Sequence, residues 1–463
     1  MGRATAGLPS PMPARMRGPA ANAMTRDGAI PGEADAAGGR EGPMSLLELP
    51  EDIVFLLLSY LDARSLGRVA QTCGKLRRLC GRDCVWRRVA RMAINTGITD
   101  DGTDRCVRVP LKERVRVSQN WRRGRCQRES LLRWRHNLLP WLQLEEGGAA
   151  LFVSQAEEVL ALRLHARRGG AAGGRVDRRP VRLYRGHRDD VCQFVINRGH
   201  LVSGGSDGRI VVQPLCGAHR HFAVAAHEEQ VNCIDSGRDV IVSGSRDRTA
   251  KVWSLLNDRT SECLHTIDTQ DRVWSVAISP AHSDLRADGV DALADGIDVR
   301  GDGGAADGPA ISFVTGTACC GHHAPLRIWD LQRGDLLGSL GSEFRHGAGV
   351  LGVQFETPSV LLSCGHDTFL RLWDTRSSMR QCVREWEEPH DSALYCLQAD
   401  GNHMVASGSA HYGVVRLWDK RHHRCLQTFN LASPVSSPVY SLRFSTRCLY
   451  VAVATQVCVL DFT

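Results

Sequence analysis

Histidine, serine and aspartate recur in several segments of this 463-residue chain, and such a set could supply the base, nucleophile and orienting acid of a hydrolase. His187 with Asp207 and His227 with Asp247 are two examples, each with serines between the two residues. A hydrolase needs one such set, whereas this sequence repeats it. We therefore interpret the sets as structural braces, in which buried polar groups satisfy one another's hydrogen bonds.

The braces belong to a repeat that ends in tryptophan. Trp329, Trp373 and Trp418 each precede an aspartate and lie 44 and 45 residues apart (373−329 and 418−373). A period of about 40–45 residues that closes on Trp-Asp is the sequence mark of a WD-type β-propeller blade. Apolar residues alternate within each unit, as they do in the strands of a twisted sheet. The predicted fold is therefore mainly β.

The repeat predicts a seven-bladed WD40-type propeller over residues 131–463. Four units share most of the parts, one carries a long insertion, the last lacks tryptophan, and the first is degenerate. They span 187–214, 227–254, 346–374, 390–419, 274–330, 438–462 and 138–164, the last of these with an outer strand at 181–185. A strand near 131–136 is expected to complete the final blade and close the ring, which removes exposed sheet edges.

Two later units are predicted to contain the brace as well, and one of them has a replacement. In one unit the expected members are His346, Asp367 and Trp373. In the next, His390 is the expected histidine and His411 stands in the aspartate position.

Three segments lack the apolar residues of a folded core. Residues 1–43 are rich in glycine, alanine and proline, residues 165–179 are rich in glycine and arginine, and residues 281–309 hold seven aspartates among glycine and alanine. Such compositions cannot bury a core, so a disordered tail and two disordered insertions are predicted. A calcium loop is the alternative for 281–309, although its spacing lacks the ligand pattern of an EF-hand.

Residues 45–90 change abruptly to apolar residues at helical spacing, as Ile53, Leu57 and Leu61 illustrate. Pro50, followed by two acidic residues, opens the first helix, because helix N-termini favour proline and negative charge. Helices this short cannot bury all their leucines alone, which favours a partner protein. This segment is predicted to be a small all-α domain.

Residues 91–130 are predicted to form a basic helical linker. Eleven arginines or lysines lie between residues 105 and 135 against two glutamates, and the formal net charge of +7 sits mainly in the N-terminal third. A solvated helix with extended arginine side chains explains this charge. A patch for nucleic acid or an acidic partner is the alternative.

The three parts together resemble the F-box/WD-repeat family over residues 45–463. The F-box likeness covers 45–90, and the segment from Asn120 to Gly124 is similar to the Asn-Trp-x-x-Gly entry that precedes the propeller in that family. The resemblance implies that the F-box docks on Skp1 in a cullin-RING ubiquitin ligase, that the propeller holds the substrate, and that a cullin-bound E2 supplies the chemistry. The matching positions predicted to bind Skp1 are Leu49, Pro50, Ile53, Leu57, Leu61, Leu66, Leu76 and Trp86.

The substrate is expected at the upper end of the propeller channel. In a blade, the second residue of the innermost strand and the residue before the turn aspartate face this end. These positions give the predicted substrate-binding residues Asn232, Arg246, Trp274, His366, Tyr395 and Tyr440. Family members that read phosphorylated segments crowd these positions with arginine. One arginine among aromatic residues instead favours an apolar or aromatic anchor.

The composition argues against several other functions. The sequence has no Gly-rich phosphate loop, HExxH motif or CxxC pair, so no catalytic residue, metal site or cofactor is predicted. Seventeen cysteines without a signal peptide indicate a reducing compartment. The expected location is therefore the cytoplasm, with the nucleus as a further location. The apolar run FLLLSYL is too short to span a bilayer, so no membrane partner is expected.

Two classes of function remain. The first is the substrate-recognition subunit of a Skp1-cullin-F-box E3 ubiquitin ligase, which is itself non-catalytic. The second is a WD-repeat scaffold or RNA-associated protein that uses the basic segment 105–135; a direct enzyme ranks third. Nucleic acid is not an expected partner of the first class.

Overall fold

The computed structural model describes most of the chain beyond its N-terminal tail. The described residues are 46, 48–145, 148–165, 175–176, 179–216, 222–237, 239–255, 262–280, 311–320, 323–341, 344–388, 392–431 and 436–463. The tail 1–43 and the insertion 281–309, both predicted to be disordered, lie outside these residues, as does most of the insertion 165–179.

Five helices precede the first strand in the described residues. They are α1 (Glu51–Ser59), α2 (Ala63–Thr72), α3 (Gly74–Leu79), α4 (Asp83–Met92) and α5 (Leu111–Arg123). Helix α2 begins after Asp62, because the Asp62 carboxylate accepts the backbone N–H of Ser65 at 2.8 Å. Helix α5 ends at Gly124, whose φ of 65° is a left-handed conformation that glycine adopts at little cost.

The rest of the described chain is built from strands. They are β1 (Gln127–Arg133), β2 (Leu142–Leu144), β3 (Ala150–Gln155), β4 (Glu158–His165), β5 (Arg175–Val176), β6 (Arg182–Arg185), β7 (Val191–Asn197), β8 (His200–Gly205), β9 (Arg209–Pro214), β10 (Phe222–Ala225), β11 (Val231–Gly237), β12 (Val240–Ser245), β13 (Thr249–Ser254), β14 (Cys263–Asp268), β15 (Val273–Ile278), β16 (Ser312–Thr317), β17 (Leu326–Asp330), β18 (Leu336–Leu340), β19 (Val350–Thr357), β20 (Val360–Gly365), β21 (Phe369–Asp374), β22 (Arg384–Glu387), β23 (Leu394–Ala399), β24 (Met404–Ser409), β25 (Val414–Asp419), β26 (Cys425–Asn430), β27 (Val439–Phe444), β28 (Cys448–Val453) and β29 (Gln456–Asp461).

These strands form seven antiparallel sheets, which confirms the predicted seven-bladed propeller. Blade 1 contains β2 to β6, blade 2 β7 to β10, blade 3 β11 to β14, blade 4 β15 to β18, blade 5 β19 to β22, blade 6 β23 to β26, and blade 7 β27 to β29 with β1. The first strand of each blade in chain order, from β2 in blade 1 to β27 in blade 7, is its innermost strand.

Strand β1 closes the ring by joining the start of the propeller to its end. It pairs antiparallel with β29, so that Gln127 lies opposite Asp461 and Arg133 lies opposite Gln456. A closing strand was expected near 131–136, and the observed strand begins earlier, at Gln127. Closure pairs the outer edge of the last blade, which would otherwise present unpaired backbone groups.

Apolar side chains fill the space between neighbouring blades. Leu142, Leu151 and Val153 of blade 1, for example, pack against Tyr450 and Ala452 of blade 7 in one buried cluster. Because each sheet is covered on both faces, its strands carry more apolar residues than a sheet with one face in water.

The last turn of helix α5 is fixed to blade 7. Trp121 is fully buried and stacks on Phe462 with 3.8 Å between ring centroids. Its indole N–H donates to the carbonyl of Thr446 at 2.9 Å, and the Asn120 amide donates to the carbonyl of Phe462 at 2.8 Å. The Asn-Trp-x-x-Gly segment therefore anchors the helical part of the chain to the propeller.

Candidate functional site

Blade 3 contains a complete His-Asp-Ser brace. Nδ1 of His227 lies 2.9 Å from the Asp247 carboxylate, and Nε2 lies 2.8 Å from Ser243 Oγ. Trp253 donates its indole N–H to the same oxygen at 3.0 Å. His227 is 8% exposed and Ser243 is fully buried, and burial lowers the pKa of His227 more than the nearby Asp247 raises it. A nucleophilic serine must be reached by its substrate, so this geometry is that of a structural brace.

Blade 2 repeats the brace without tryptophan. His187 lies 3.0 Å from Asp207 and 2.9 Å from Ser203 Oγ. Gln213, which replaces the tryptophan, donates instead to the carbonyl of Arg185 at 2.6 Å. The brace therefore holds neighbouring strands together in two successive blades.

The brace predicted for blade 5 is wrong in one member. His346 is exposed and bonds to a backbone carbonyl of blade 4 at 2.9 Å. Asp367 pairs with Arg371, which lies four residues along the chain. Trp373 still donates to a serine, Ser363, at 2.8 Å. An arginine thus replaces the histidine, because Arg371 lies in β21, directly after the turn that holds Asp367, and reaches its carboxylate.

Blade 6 also departs from the prediction. His390 lies outside the described residues, and His411 is exposed. A buried ion pair occupies this part of the blade, with Arg416 Nε 2.5 Å from Glu388 Oε1 and Glu388 2% exposed. A buried charge needs a partner, and Glu388 and Arg416 supply that partner for each other.

Asp247→Ala is expected to lower the free energy of unfolding by about 1–3 kcal/mol, because it leaves buried hydrogen-bonding groups of His227 and Thr249 without their acceptor. Chemical denaturation at neutral pH measures the change. Asp335→Ala, which removes an exposed carboxylate, is the matched control and should leave stability within about 0.5 kcal/mol. Equal stability of the two variants would contradict the structural role of the brace.

One face of helix α1 is an exposed apolar stripe. Ile53, Leu56, Leu57 and Tyr60 are 44, 54, 47 and 67% exposed. Their spacing places them on one side of a helix, and Pro50, also exposed, precedes them at the start of that helix. Soluble proteins seldom leave contiguous apolar surface of this kind without a partner. Leu56 and Tyr60 were not among the predicted Skp1-binding residues. Their helical spacing from Ile53 and Leu57 was the sequence signal that places them on the same face.

Three predicted Skp1-binding residues are interior instead. Leu66, Leu76 and Trp86 are 0, 8 and 4% exposed, and Trp86 donates its indole N–H to the carbonyl of Cys80 at 2.7 Å. These side chains hold α2, α3 and α4 together and present no surface to a partner in this conformation. Two further predicted residues, Leu49 and Leu61, are partly buried.

Three of the predicted substrate-binding residues form a row of rings at the upper end of blades 5 to 7. The rings of His366 and Tyr395 are 6.4 Å apart edge to face, and those of Tyr395 and Tyr440 are 6.2 Å apart. Tyr395 and Tyr440 are half-buried and His366 is exposed. Burial and the neighbouring Tyr395 raise the pKa of Tyr440 above its ordinary value. The row is therefore partly accessible to a ligand.

The other three lie on blades 3 and 4. Trp274 is half-buried, and its indole N–H has no hydrogen-bond partner within the described chain. Asn232 donates its amide to the carbonyl of Val273 at 2.8 Å and so joins the innermost strands of these two blades. The exposed Arg246 lies 3.9 Å from the carboxylate of Glu229, which reduces its net charge toward a ligand.

The described residues contain no group of three or more histidine, cysteine, aspartate or glutamate side chains arranged to hold a metal ion. None of the described helices combines the length and the apolar character needed to cross a bilayer.

Comparison with known proteins gives the family. A model of F-box-like domains matches residues 46–92, and a model described as WD domain, G-beta repeat, matches 220–254 and 380–419. F-box/WD repeat-containing protein 4 of Mus musculus is 52% identical over 90% of this chain and 93% of that protein. Its namesake from Homo sapiens is 52% identical over 92% of this chain and 95% of that protein. The chain belongs to the F-box/WD-repeat family.

Membership of the F-box/WD-repeat family confirms the resemblance found in the sequence. Among solved structures, the WD40 repeats of RRP9 superpose with a TM-score of 0.54 at 17% identity, covering 73% of this chain and 99% of that chain; this likeness concerns the fold alone. An F-box joined to a WD propeller, together with these relatives, supports a role as an F-box substrate receptor. Proteins of this family are typically non-catalytic adaptors.

Proposed function

We propose that this chain is the substrate-recognition subunit of a Skp1-cullin-F-box ubiquitin ligase, in which α1 docks on Skp1 and the upper face of the propeller binds the protein to be ubiquitinated and degraded. The exposed stripe of Ile53, Leu56, Leu57 and Tyr60 carries the proposal. A partner that buries the stripe removes apolar area from water, which stabilises a complex by about 25 cal/mol per Å².

The two binding surfaces lie at opposite ends of the propeller. The helical part contacts the turns that follow the innermost strands of blades 6 and 7, where Asn95 donates to Asp400 Oδ2 and to the carbonyl of Ser445, both at 2.9 Å. Tyr395 and Tyr440 lie near the beginnings of these same strands, and hence at the other end. This separation suits an adaptor, because one partner can be bound without obstructing the other.

The row of rings favours a substrate segment with an aromatic or apolar anchor. Rings 4.5–7 Å apart attract one another in offset or edge-to-face arrangements, and His366, Tyr395 and Tyr440 leave ring surface accessible in this spacing. A phosphorylated segment would instead need several unpaired cations, because its charge is close to −2 at neutral pH. Arg246 is paired with Glu229 and does not supply the positive charge that a phosphate group needs.

Tyr395→Ala is expected to weaken capture of a bound substrate by about 30-fold or more, since truncation of a central aromatic anchor typically costs 2 kcal/mol or more. Skp1 binding should be unchanged. Leu337→Ala, which shortens a 48% exposed side chain on the outer strand of blade 4, is the matched control. Arg246→Ala, tested with substrate before and after phosphatase treatment, identifies the anchor chemistry: a large phosphatase effect that disappears in this variant would overturn the aromatic anchor.

Affinity purification of the full chain tests the proposed function as a whole. Co-elution of Skp1 and a cullin, insensitive to nuclease, is the expected result. The alternative function as an RNA-associated scaffold rests on the basic segment 105–135, in which Arg114 is buried and paired with Asp104 at 2.7 Å while Arg108, Arg122 and Arg123 are exposed. Partners that are released by nuclease, without Skp1, would favour that alternative. A cytoplasmic location, with the nucleus as a further one, stays a prediction.

A further inference from the structure

A cavity of about 460 Å³ lies inside the propeller channel. The innermost strands of all seven blades, which belong to the described chain, contribute to its wall. The lining begins at Leu351 and Tyr395, near the starts of their strands, and extends to Phe355 and Phe444, near the ends. The cavity therefore continues downward from the row of rings into the channel.

Arg443 is a cation inside this channel that forms no ion pair with any described residue. It is the fifth residue of β27, three residues beyond Tyr440. Its Nε donates to Gln143 Oε1 at 3.2 Å, and its Nη1 donates to the carbonyl of Leu442 at 2.8 Å. The guanidinium also lies 5.2 Å from the centre of the Trp141 ring. These contacts fix the guanidinium in place but use only two of its five N–H groups.

Two glutamines extend this set of donors to the neighbouring blades. Gln354 and Gln398 are also the fifth residues of their innermost strands. Their Oε1 atoms accept the backbone N–H groups of Ala399 and Phe444 at 3.0 and 2.8 Å, and neither NH₂ group bonds to another described residue. The donors of blades 5 to 7 therefore lie below the row of rings, which the same three blades carry.

The carboxylate of Asp235 stands across the channel, in blade 3. Its oxygens accept the backbone N–H groups of Ser236 and Ile278 at 2.9 and 2.8 Å, which holds it on its own wall. Burial lowers the pKa of Arg443 to about 10, although Cys396 and Asp235 raise it, so the guanidinium is charged at neutral pH. A cation that has lost water without gaining a bonded carboxylate is stabilised by an anionic ligand.

The depth of Arg443 limits which groups can deliver the negative charge. Three residues of strand correspond to about 10 Å, so the charge must reach about that far below the rings. A single aspartate or glutamate side chain is shorter than this distance, and an internal loop would have to pass its chain through the channel twice. An extended C-terminal end passes once, covers about 10 Å with three residues, and ends in a carboxylate.

We infer that the channel binds the C-terminal end of a protein substrate, with its terminal carboxylate on Arg443 beside the NH₂ groups of Gln354 and Gln398. An aromatic or apolar side chain about three residues from that end then meets the row of rings. This inference rests on the proposed function of the upper face and names its substrate class, which is proteins with a free C-terminal tail. An N-terminal end is disfavoured because its amine carries the same charge as Arg443.

Acetylated hexapeptides with a free C-terminal carboxylate, compared with the same peptides ending in an amide, test the inference on the full chain. The set carries tryptophan, tyrosine, phenylalanine or leucine third from the end and glycine elsewhere. Calorimetry should detect binding of at least one of the acids, and its amide should bind about ten-fold or more weakly, because the amide lacks the charge-assisted hydrogen bonds. Equal binding of acid and amide, or no binding of any acid at millimolar concentration, would overturn the inference.

Variants of Arg443 assign the preference for the acid to this residue. Arg443→Gln should remove the preference, whereas Arg443→Lys, which also loses the packing of the guanidinium on Trp141 but keeps the charge, should retain it. Arg376→Gln, which removes an exposed arginine paired with Asp374 at 2.8 Å, is the matched control and should bind as the wild type does. A preference that survives Arg443→Gln, or that both variants lose equally, would contradict a carboxylate on Arg443.

These peptides need neither Skp1 nor a known substrate, so the two hypotheses can fail separately. A chain that co-elutes with Skp1, and whose Tyr395→Ala variant loses substrate, but that binds acid and amide alike would keep the proposed function and lose this inference.

Discussion

Replacement of Ile53 and Leu57 together by alanine is expected to abolish recovery of Skp1 with this chain. Both side chains are about half exposed on one face of α1 and do not contribute to the buried interior of the helical domain. Truncating anchors at the centre of an interface typically costs ~2–4 kcal/mol, or about 30- to 1,000-fold in affinity. Calorimetry or pull-down with purified Skp1 measures the loss, and the melting temperature should not fall.

The matched control for this double variant is Leu264→Ala, which shortens a leucine of similar exposure, 44%, on the outer strand of blade 3. It should bind Skp1 as the wild type does. Undiminished Skp1 binding by the Ile53/Leu57 variant would show that the stripe is not the docking surface. Leu66→Ala serves a different purpose, since loss of a fully buried leucine should unfold the helical domain and remove binding indirectly.

Trp121→Ala is expected to give the largest loss of stability, about 3–5 kcal/mol, which is typical of removing a fully buried tryptophan. The substitution removes the ring stack on Phe462 and the hydrogen bond to Thr446. Because this contact anchors α5 to blade 7, the helical part should also separate from the propeller more readily. Urea denaturation and limited proteolysis near residues 91–126 measure the two effects.

Trp121→Phe is the matched control for the ring itself. Phenylalanine retains an aromatic ring against Phe462 but has no N–H, so its cost should be near that of one hydrogen bond plus a small cavity, about 1–3 kcal/mol. If the alanine variant were no less stable than the phenylalanine variant, the stack would not be the anchor of the linker.

The sequence by itself determined the architecture of the propeller. The spacing of Trp329, Trp373 and Trp418 and the alternation of apolar residues are local properties that each blade needs in order to pack on two neighbours. The same argument required a closing strand, because an open ring would expose a sheet edge. The strand was expected a few residues too late, since strand ends depend on the register with β29.

Helical spacing also predicted the F-box helices, but only the tertiary structure decided which apolar side chains remain outside. Ile53 and Leu57 are exposed whereas Leu66 and Trp86 are buried, although all four match the family pattern. A periodic sequence defines an apolar face of a helix, and the neighbouring helices decide whether that face is covered.

The partners within the braces also depended on the tertiary structure. His346 matches the repeat in sequence, yet Arg371, in the strand that follows the Asp367 turn, pairs with Asp367 instead of His346. In blade 6 the Glu388 side chain turns to Arg416 and His411 turns outward. A sequence pattern identifies residues that could bond with one another, but competition between possible partners in the folded chain selects the bonds that form.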